Sequence, residues 1–264
     1  MLLERVFAPA ELERYAQDGY VVARGLVDPA AWRRMREAAV EALENAVPPL
    51  ELEADVRYPG APASHDAPGG RTVRRLLGAY SRHPEFAQWG LSRELGNRLA
   101  QLLGRDVELS QAHHNCVMTK SPSFSSSTGW HRDVRYWSFE RPELVSVWLA
   151  LGAERRDNGC LLVLPGSHAM TFSQAQLDEA QFLRTDAPEN QALLARQVAV
   201  ELDPGDVLFF DARLFHAAGS NTTGDIKFSV VFTYHAADNR PLPGSRSAAL
   251  PDVPLPAPER SRVE

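Results

Sequence analysis

The chain has 264 residues, 44% of them apolar, and a formal net charge of −6; the length supports one large β-rich domain with its own core. The acidic balance argues against nucleic acid or an anionic membrane as partner, and no run of 18 apolar residues offers a transmembrane helix. Cys116 and Cys160 are too few for a disulfide framework, and Met1-Leu2-Leu3-Glu4-Arg5 lacks the apolar stretch of a signal peptide, so the expected compartment is a reducing cytoplasm.

The first elements read as helix, strand, helix. Pro9 suits a first helical position, Leu12, Tyr15 and Ala16 form an apolar stripe, and Gly19 ends it. Tyr20 to Arg24 reads as a strand. Asp28-Pro29 is an N-cap and first-turn proline for a helix carrying Trp32, Met35, Ala39, Ala42 and Leu43. Residues 48–70 are rich in Pro, Gly and Ala and read as irregular. Arg71, Arg74 and Arg75 follow; they read as a solvated face, or one of them points inward as an anion anchor. One helix is expected from Glu85 to Leu103.

From Val107 the pattern turns to period two. Val107–Ser110 and Ala112–Lys120 read as strands, with His113 and His114 as ordinary polar strand residues. Residues 121–128 form a Ser-rich loop that could gate a site. Leu144–Leu151 is an apolar core strand, and Cys160–Leu164 follows the Asp157-Asn158-Gly159 turn. Residues 171–197 read as a partly helical insertion. Val198–Leu202, Val207–Phe210 and Ile226–Tyr234 complete the strands. The segment after Ala236 holds six prolines. The expected organisation is a single domain over 1–240 and a Pro-rich, loosely held tail over 241–264. Helices first and then short strands predict a jelly-roll sandwich with an N-terminal helical layer.

His131-Arg132-Asp133 is the chemically informative spacing. On a strand, residues i and i+2 share a face, so His131 and Asp133 can reach one metal ion. His216, 85 residues downstream, can supply a third ligand across a sandwich mouth. Two histidines and one carboxylate on one face match the facial triad of non-haem Fe(II) oxygenases. Arg135, Tyr136 and Trp137 follow the pair; they line the pocket or, for Trp137, fill the core.

Four segments then resemble, in order, the phytanoyl-CoA dioxygenase family of Fe(II)/2-oxoglutarate oxygenases. They are Asp18-Gly19-Tyr20-Val21-Val22 with Gly25-Leu26, Trp130-His131-Arg132-Asp133, Asn158 through His168, and His216-Ala217-Ala218-Gly219-Ser220-Asn221. The resemblance runs from about residue 8 to residue 235 and implies a double-stranded β-helix fold, with Fe(II) held by His131, Asp133 and His216. It also implies 2-oxoglutarate and O2 as co-substrates. The family has a basic residue, usually Arg, eleven positions after the distal histidine. Here that position is Lys227, a point charge without a bidentate fork. The Ser often found two residues after that histidine is Ala218. Trp148 matches a position beside the co-substrate and Cys116 another, and Arg74 or Arg75 is a further cation within reach. The implied reaction is hydroxylation of a C–H bond in a small-molecule substrate, with release of succinate and CO2. Halogenating relatives lack the carboxylate that Asp133 supplies. The alternative is a non-catalytic jelly roll that binds a metal or ligand.

Overall fold

The computed structural model describes residues 6–56, 60–104, 106–112, 114–122 and 124–256. Its strands are β1 (Tyr20–Ala23), β2 (Leu50–Leu52), β3 (Val73–Leu77), β4 (Val107–Ser110), β5 (Cys116–Lys120), β6 (Thr128–His131), β7 (Leu144–Ala150), β8 (Leu161–Val163), β9 (Val198–Val200), β10 (Val207–Asp211), β11 (His216–Ala218), β12 (Lys227–Ala236) and β13 (Val253–Pro254). The helices that matter for packing are α1 (Pro9–Asp18), α2 (Pro29–Glu44), α3 (Ala79–Arg82), α4 (Pro84–Gly90) and α5 (Arg93–Leu103).

Two antiparallel sheets face each other. The larger runs β1-β10-β7-β12-β5-β3-β2, with β4 pairing the far half of β12 and β13 pairing β4; the smaller runs β6-β11-β8-β9. This is the jelly-roll sandwich expected from the strand pattern. Along the central strands, alternate residues serve two cores. Val147, Leu149, Val230 and Phe232 pack outward under Met35 and Ala39 of α2, Phe86 of α4 and Leu95 and Leu99 of α5. Trp148, Ala150, Phe210 and Val231 point inward against Leu161, Val163 and Ala218 of the smaller sheet. The central strands are buried on both faces, which is why they read as continuous apolar runs.

Several expectations change. The single helix over 85–103 is two, because Leu91 and Ser92 break it and the Ser92 hydroxyl caps the second by accepting from Leu95 N at 3.4 Å. The strand read over 112–120 begins only at Cys116; His114 precedes it, and His113 lies outside the described residues. Residues 48–52 are not wholly irregular, since Leu50–Leu52 pairs with β3. The insertion at 171–197 is mostly short turns with one four-residue helix, Gln191–Leu194.

The segment read as a loose tail is part of the fold as far as it is described. Val253 and Pro254 pair with Leu109 and Glu108 of β4. Leu255 is buried in the main core, and the buried Ser247 hydroxyl accepts from Ser138 N at 2.9 Å. Proline content misled here because an edge strand tolerates proline where its missing N–H faces away from the ladder. Residues 257–264 lie outside the described residues.

Candidate metal centre

His131 closes β6 and His216 opens β11, and the two strands pair so that these residues are direct cross-strand partners. Their ring centroids are 4.3 Å apart. Asp133 is not on the strand, as the i, i+2 argument supposed. It opens a 3-10 turn, Asp133–Tyr136, that bends the chain back toward the histidines. Its Oδ1 lies 3.4 Å from His216 Nε2 and 3.9 Å from His131 Nε2. One ligand atom from each of the three lies within 4.8 Å of the others.

The ring orientations are fixed from behind. His131 Nδ1 lies 2.9 Å from the Gly129 carbonyl and His216 Nδ1 lies 3.1 Å from the Leu214 carbonyl. A carbonyl only accepts, so each Nδ1 carries the proton and each Nε2 turns a lone pair toward Asp133. Asp133 Oδ2 accepts from the Ser146 hydroxyl at 2.7 Å. Asp133 Oδ1 is buried and makes no hydrogen bond. Two lone pairs and an orphaned carboxylate oxygen converge on one point, and a divalent cation fits that donor set.

The electrostatics agree. Burial alone would raise the Asp133 carboxyl, but His114, His216 and His131 outweigh it and hold the group well below the ordinary carboxylate range. Burial pushes His131 far down, helped by His216. Burial also opposes charge on His216, but Asp133 prevails and raises it. Sequence reasoning missed His114. Its Nδ1 sits 3.6 Å from Asp133 Oδ2, and its ring meets Tyr136 and Trp137 edge-on. Burial pushes it down to about 4, so it is neutral near pH 7. Read with His113 as an ordinary polar strand residue, it carried no signal of this placement.

The same cavity continues between the sheets, past Trp148, Leu161 and Val231, to Lys120 and Lys227. Lys227 is buried, with Nζ 3.1 Å from Glu154 Oε2 and 5.0 Å from the Trp148 ring centroid. Glu154 Oε1 accepts from Trp148 Nε1 at 2.8 Å and from the Ser229 hydroxyl at 2.6 Å. Lys120 lies directly opposite Lys227 across the β5–β12 ladder, and its Nζ donates to the Ser126 carbonyl at 3.0 Å. Burial, with Lys227 and Arg74 nearby, pulls Lys120 down to about 7. Gly159, at φ 78°, lets the 157–159 turn lie on the Lys120 stem; a Cβ there would be 2.7 Å from Lys120 Cδ.

Arg74 borders this cavity, but its guanidinium donates to Glu53 (3.2 Å), Ser126 (2.8 Å) and Thr128 (2.8 Å). It pins the end of the 121–128 loop, so that end is anchored rather than a free gate. Arg75 pairs with Glu51 at 3.3 Å. Cys116 is a core residue whose Sγ faces Met118 Sδ at 3.7 Å, and Met118 takes the place on the metal-cavity wall. A second, larger cavity of about 760 Å³ adjoins at His114 and Arg75, lined also by Arg135, Tyr136, Phe182, Arg246 and Leu250.

A jelly roll with two histidines and an aspartate open at its mouth defines the class of non-haem iron oxygenases. The phytanoyl-CoA dioxygenase (PhyH) family's sequence profile matches residues 15–229, and the chain belongs to that family. It is an Fe(II)- and 2-oxoglutarate-dependent dioxygenase that hydroxylates a small molecule. Human peroxisomal phytanoyl-CoA dioxygenase is 25% identical over 235 residues, covering 85% of this chain and 67% of the relative. Ectoine dioxygenase from Sphingopyxis alaskensis is also 25% identical, covering 86% and 75%. Among solved structures, the carbocyclase SnoK of nogalamycin biosynthesis superposes with a TM-score of 0.71 at 22% identity, covering 95% of this chain and 94% of its own. EctD of S. alaskensis with 2-oxoglutarate and 5-hydroxyectoine also gives 0.71 at 23% identity, covering 89% and 78%. These structural likenesses establish the fold. No helix among the described residues is long and apolar enough to cross a membrane.

Proposed function

We propose that His131, Asp133 and His216 hold the Fe(II), that Lys120 and Lys227 together receive the far carboxylate of 2-oxoglutarate, and that the substrate hydroxylated is a small-molecule anion. The observation that carries the metal assignment is the unsatisfied Asp133 Oδ1 facing two Nε2 lone pairs. Bound there, Fe(II) with 2-oxoglutarate and O2 supplies the oxidising power that turns a substrate C–H into C–OH as the co-substrate leaves as succinate and CO2.

The protein's own groups set up that chemistry. Ser146 orients the Asp133 carboxylate, and the Gly129 and Leu214 carbonyls fix the imidazoles, so the ligands are preorganised. Trp148 and Val231 line the cavity with apolar surface and exclude water from the co-substrate. Glu154 neutralises Lys227, so the uncompensated charge available to an entering dicarboxylate is that of Lys120. His114, neutral near pH 7, stands where the metal cavity meets the larger one.

The larger cavity has the volume of a small-molecule site. Arg135 holds its guanidinium 4.3 Å from the Phe182 ring centroid and 4.9 Å from that of Tyr136. Arg246, contributed by the C-terminal segment, also lines this cavity. Cations beside aromatic walls favour a partly apolar molecule bearing a carboxylate or phosphate. The test is a screen of metabolite anions and their neutral esters or amides for stimulated succinate release. Stimulation by anions and not by their neutral counterparts supports the reading; preference for the neutral forms contradicts it.

A further inference from the structure

The far end of β12 gathers a second set of ligand-type side chains that shares no residue with the metal centre. His235 is fully buried and is the cross-strand partner of Glu108 on β4. On its other side β4 pairs with β13, where Glu108 faces Pro254. Asp252, two residues before Pro254, closes on the histidine, with Oδ2 3.3 Å from His235 Nε2. One ligand atom each from Glu108, His235 and Asp252 lies within 4.8 Å of the others.

The hydrogen bonding leaves this cluster incomplete. His235 Nδ1 lies 3.0 Å from the Ala236 carbonyl and so carries the proton there, which leaves a lone pair on Nε2. Nε2 makes no hydrogen bond, and neither does the buried Asp252 Oδ1. An imidazole lone pair and two carboxylates point together with no donor among them. Leaving His235 Nε2 and Asp252 Oδ1 buried without a partner is costly, and a cation between them would satisfy both.

We propose that Glu108, His235 and Asp252 bind a divalent transition cation of the zinc class. One imidazole nitrogen and two carboxylate oxygens suit such an ion, with solvent completing its coordination. The ligands come from three adjacent chain segments, so the ion fastens the C-terminal strand onto the larger sheet. That strand follows the segment bearing Arg246 and Leu250, so the ion also steadies one wall of the larger cavity.

The full chain, stripped of metal, is titrated with Zn2+, desalted and its bound metal counted. Two equivalents are expected for the native protein and one for Asp252→Asn. His131→Ala/His216→Ala should keep one equivalent and lose it when Asp252→Asn is added. Zn2+ should also raise the thermal midpoint of His131→Ala/His216→Ala, and not that of the same protein carrying Asp252→Asn. The proposal is overturned if His131→Ala/His216→Ala holds no Zn2+, which would leave only a His235–Asp252 ion pair. It is equally overturned if Asp252→Asn leaves zinc content and thermal shift unchanged. If the double histidine variant does not fold, the count in native protein against Asp252→Asn decides the matter alone.

Discussion

Lys120 and Lys227 are direct cross-strand partners, both buried, on the wall of the cavity that holds His131, Asp133 and His216. Like charges in that relationship destabilise a sheet unless something compensates them. Glu154 compensates Lys227, while Lys120 has a carbonyl and a depressed pKa of about 7. On the reading proposed above, the far carboxylate of 2-oxoglutarate supplies the counter-charge the pair lacks.

The pair therefore predicts a pH dependence for co-substrate binding. The anion binds best to protonated Lys120, and that form is lost as pH rises through about 7. Each pH unit above that point should weaken 2-oxoglutarate binding by up to about tenfold, until the pKa of the bound state is passed. Titrations of 2-oxoglutarate from pH 6 to 9 should show this slope in the native protein and a flat profile in Lys120→Met. An equal slope in both would assign the effect to another group.

Removing Lys227 should act differently. Lys227→Ala strands the Glu154 carboxylate beside the co-substrate site, so it removes a cation and frees an anion. Truncating one member of a buried charge pair typically costs about 2–5 kcal/mol, which is roughly 30-fold or more in 2-oxoglutarate affinity. The double change Lys227→Met/Glu154→Gln should recover part of that loss. A double variant no better than Lys227→Ala would show that Glu154 is not the source of repulsion.

Ser146 reaches the proposed iron site only through its hydrogen bond to Asp133 Oδ2. Ser146→Ala should weaken Fe(II) binding by about 10–100-fold, as is typical for the loss of a group that orients a ligand, while saturating iron restores most turnover. Unchanged iron affinity would show that the turn holds Asp133 without the hydroxyl.

Truncation after residue 240 removes β13, Leu255 and Ser247 from their packing. The loss of about 2 kcal/mol or more should lower the thermal midpoint by about 4–8 °C. A midpoint within a degree of the native value would restore the reading of these residues as a loose tail.

The strands buried on both faces were the most legible part of the sequence, because β7, β10 and β12 are apolar runs whatever surrounds them. The residues His131, Asp133 and His216 were legible from spacing and resemblance, although the turn that carries Asp133 was not. What stayed hidden depends on tertiary partners. Arg74 looked like part of a solvated run, yet it is buried because Glu53, Ser126 and Thr128 satisfy it. Lys120 looked like an ordinary strand residue until β5 paired with β12 in the register that sets it against Lys227. Glu154 and His114 lie in connections, where no periodicity signals burial. The C-terminal strand was hidden by its prolines.

The most direct test of the account is anaerobic addition of Fe(II) to the 2-oxoglutarate-saturated protein, followed by the visible charge-transfer band of the iron–2-oxoglutarate chelate. The native chain should develop the band at one equivalent of iron. Asp133→Ala, folded by circular dichroism, should develop little or none and should form no succinate when O2 is admitted. A band and succinate yield in Asp133→Ala equal to those of the native protein would contradict the assignment of His131, Asp133 and His216 as the iron ligands.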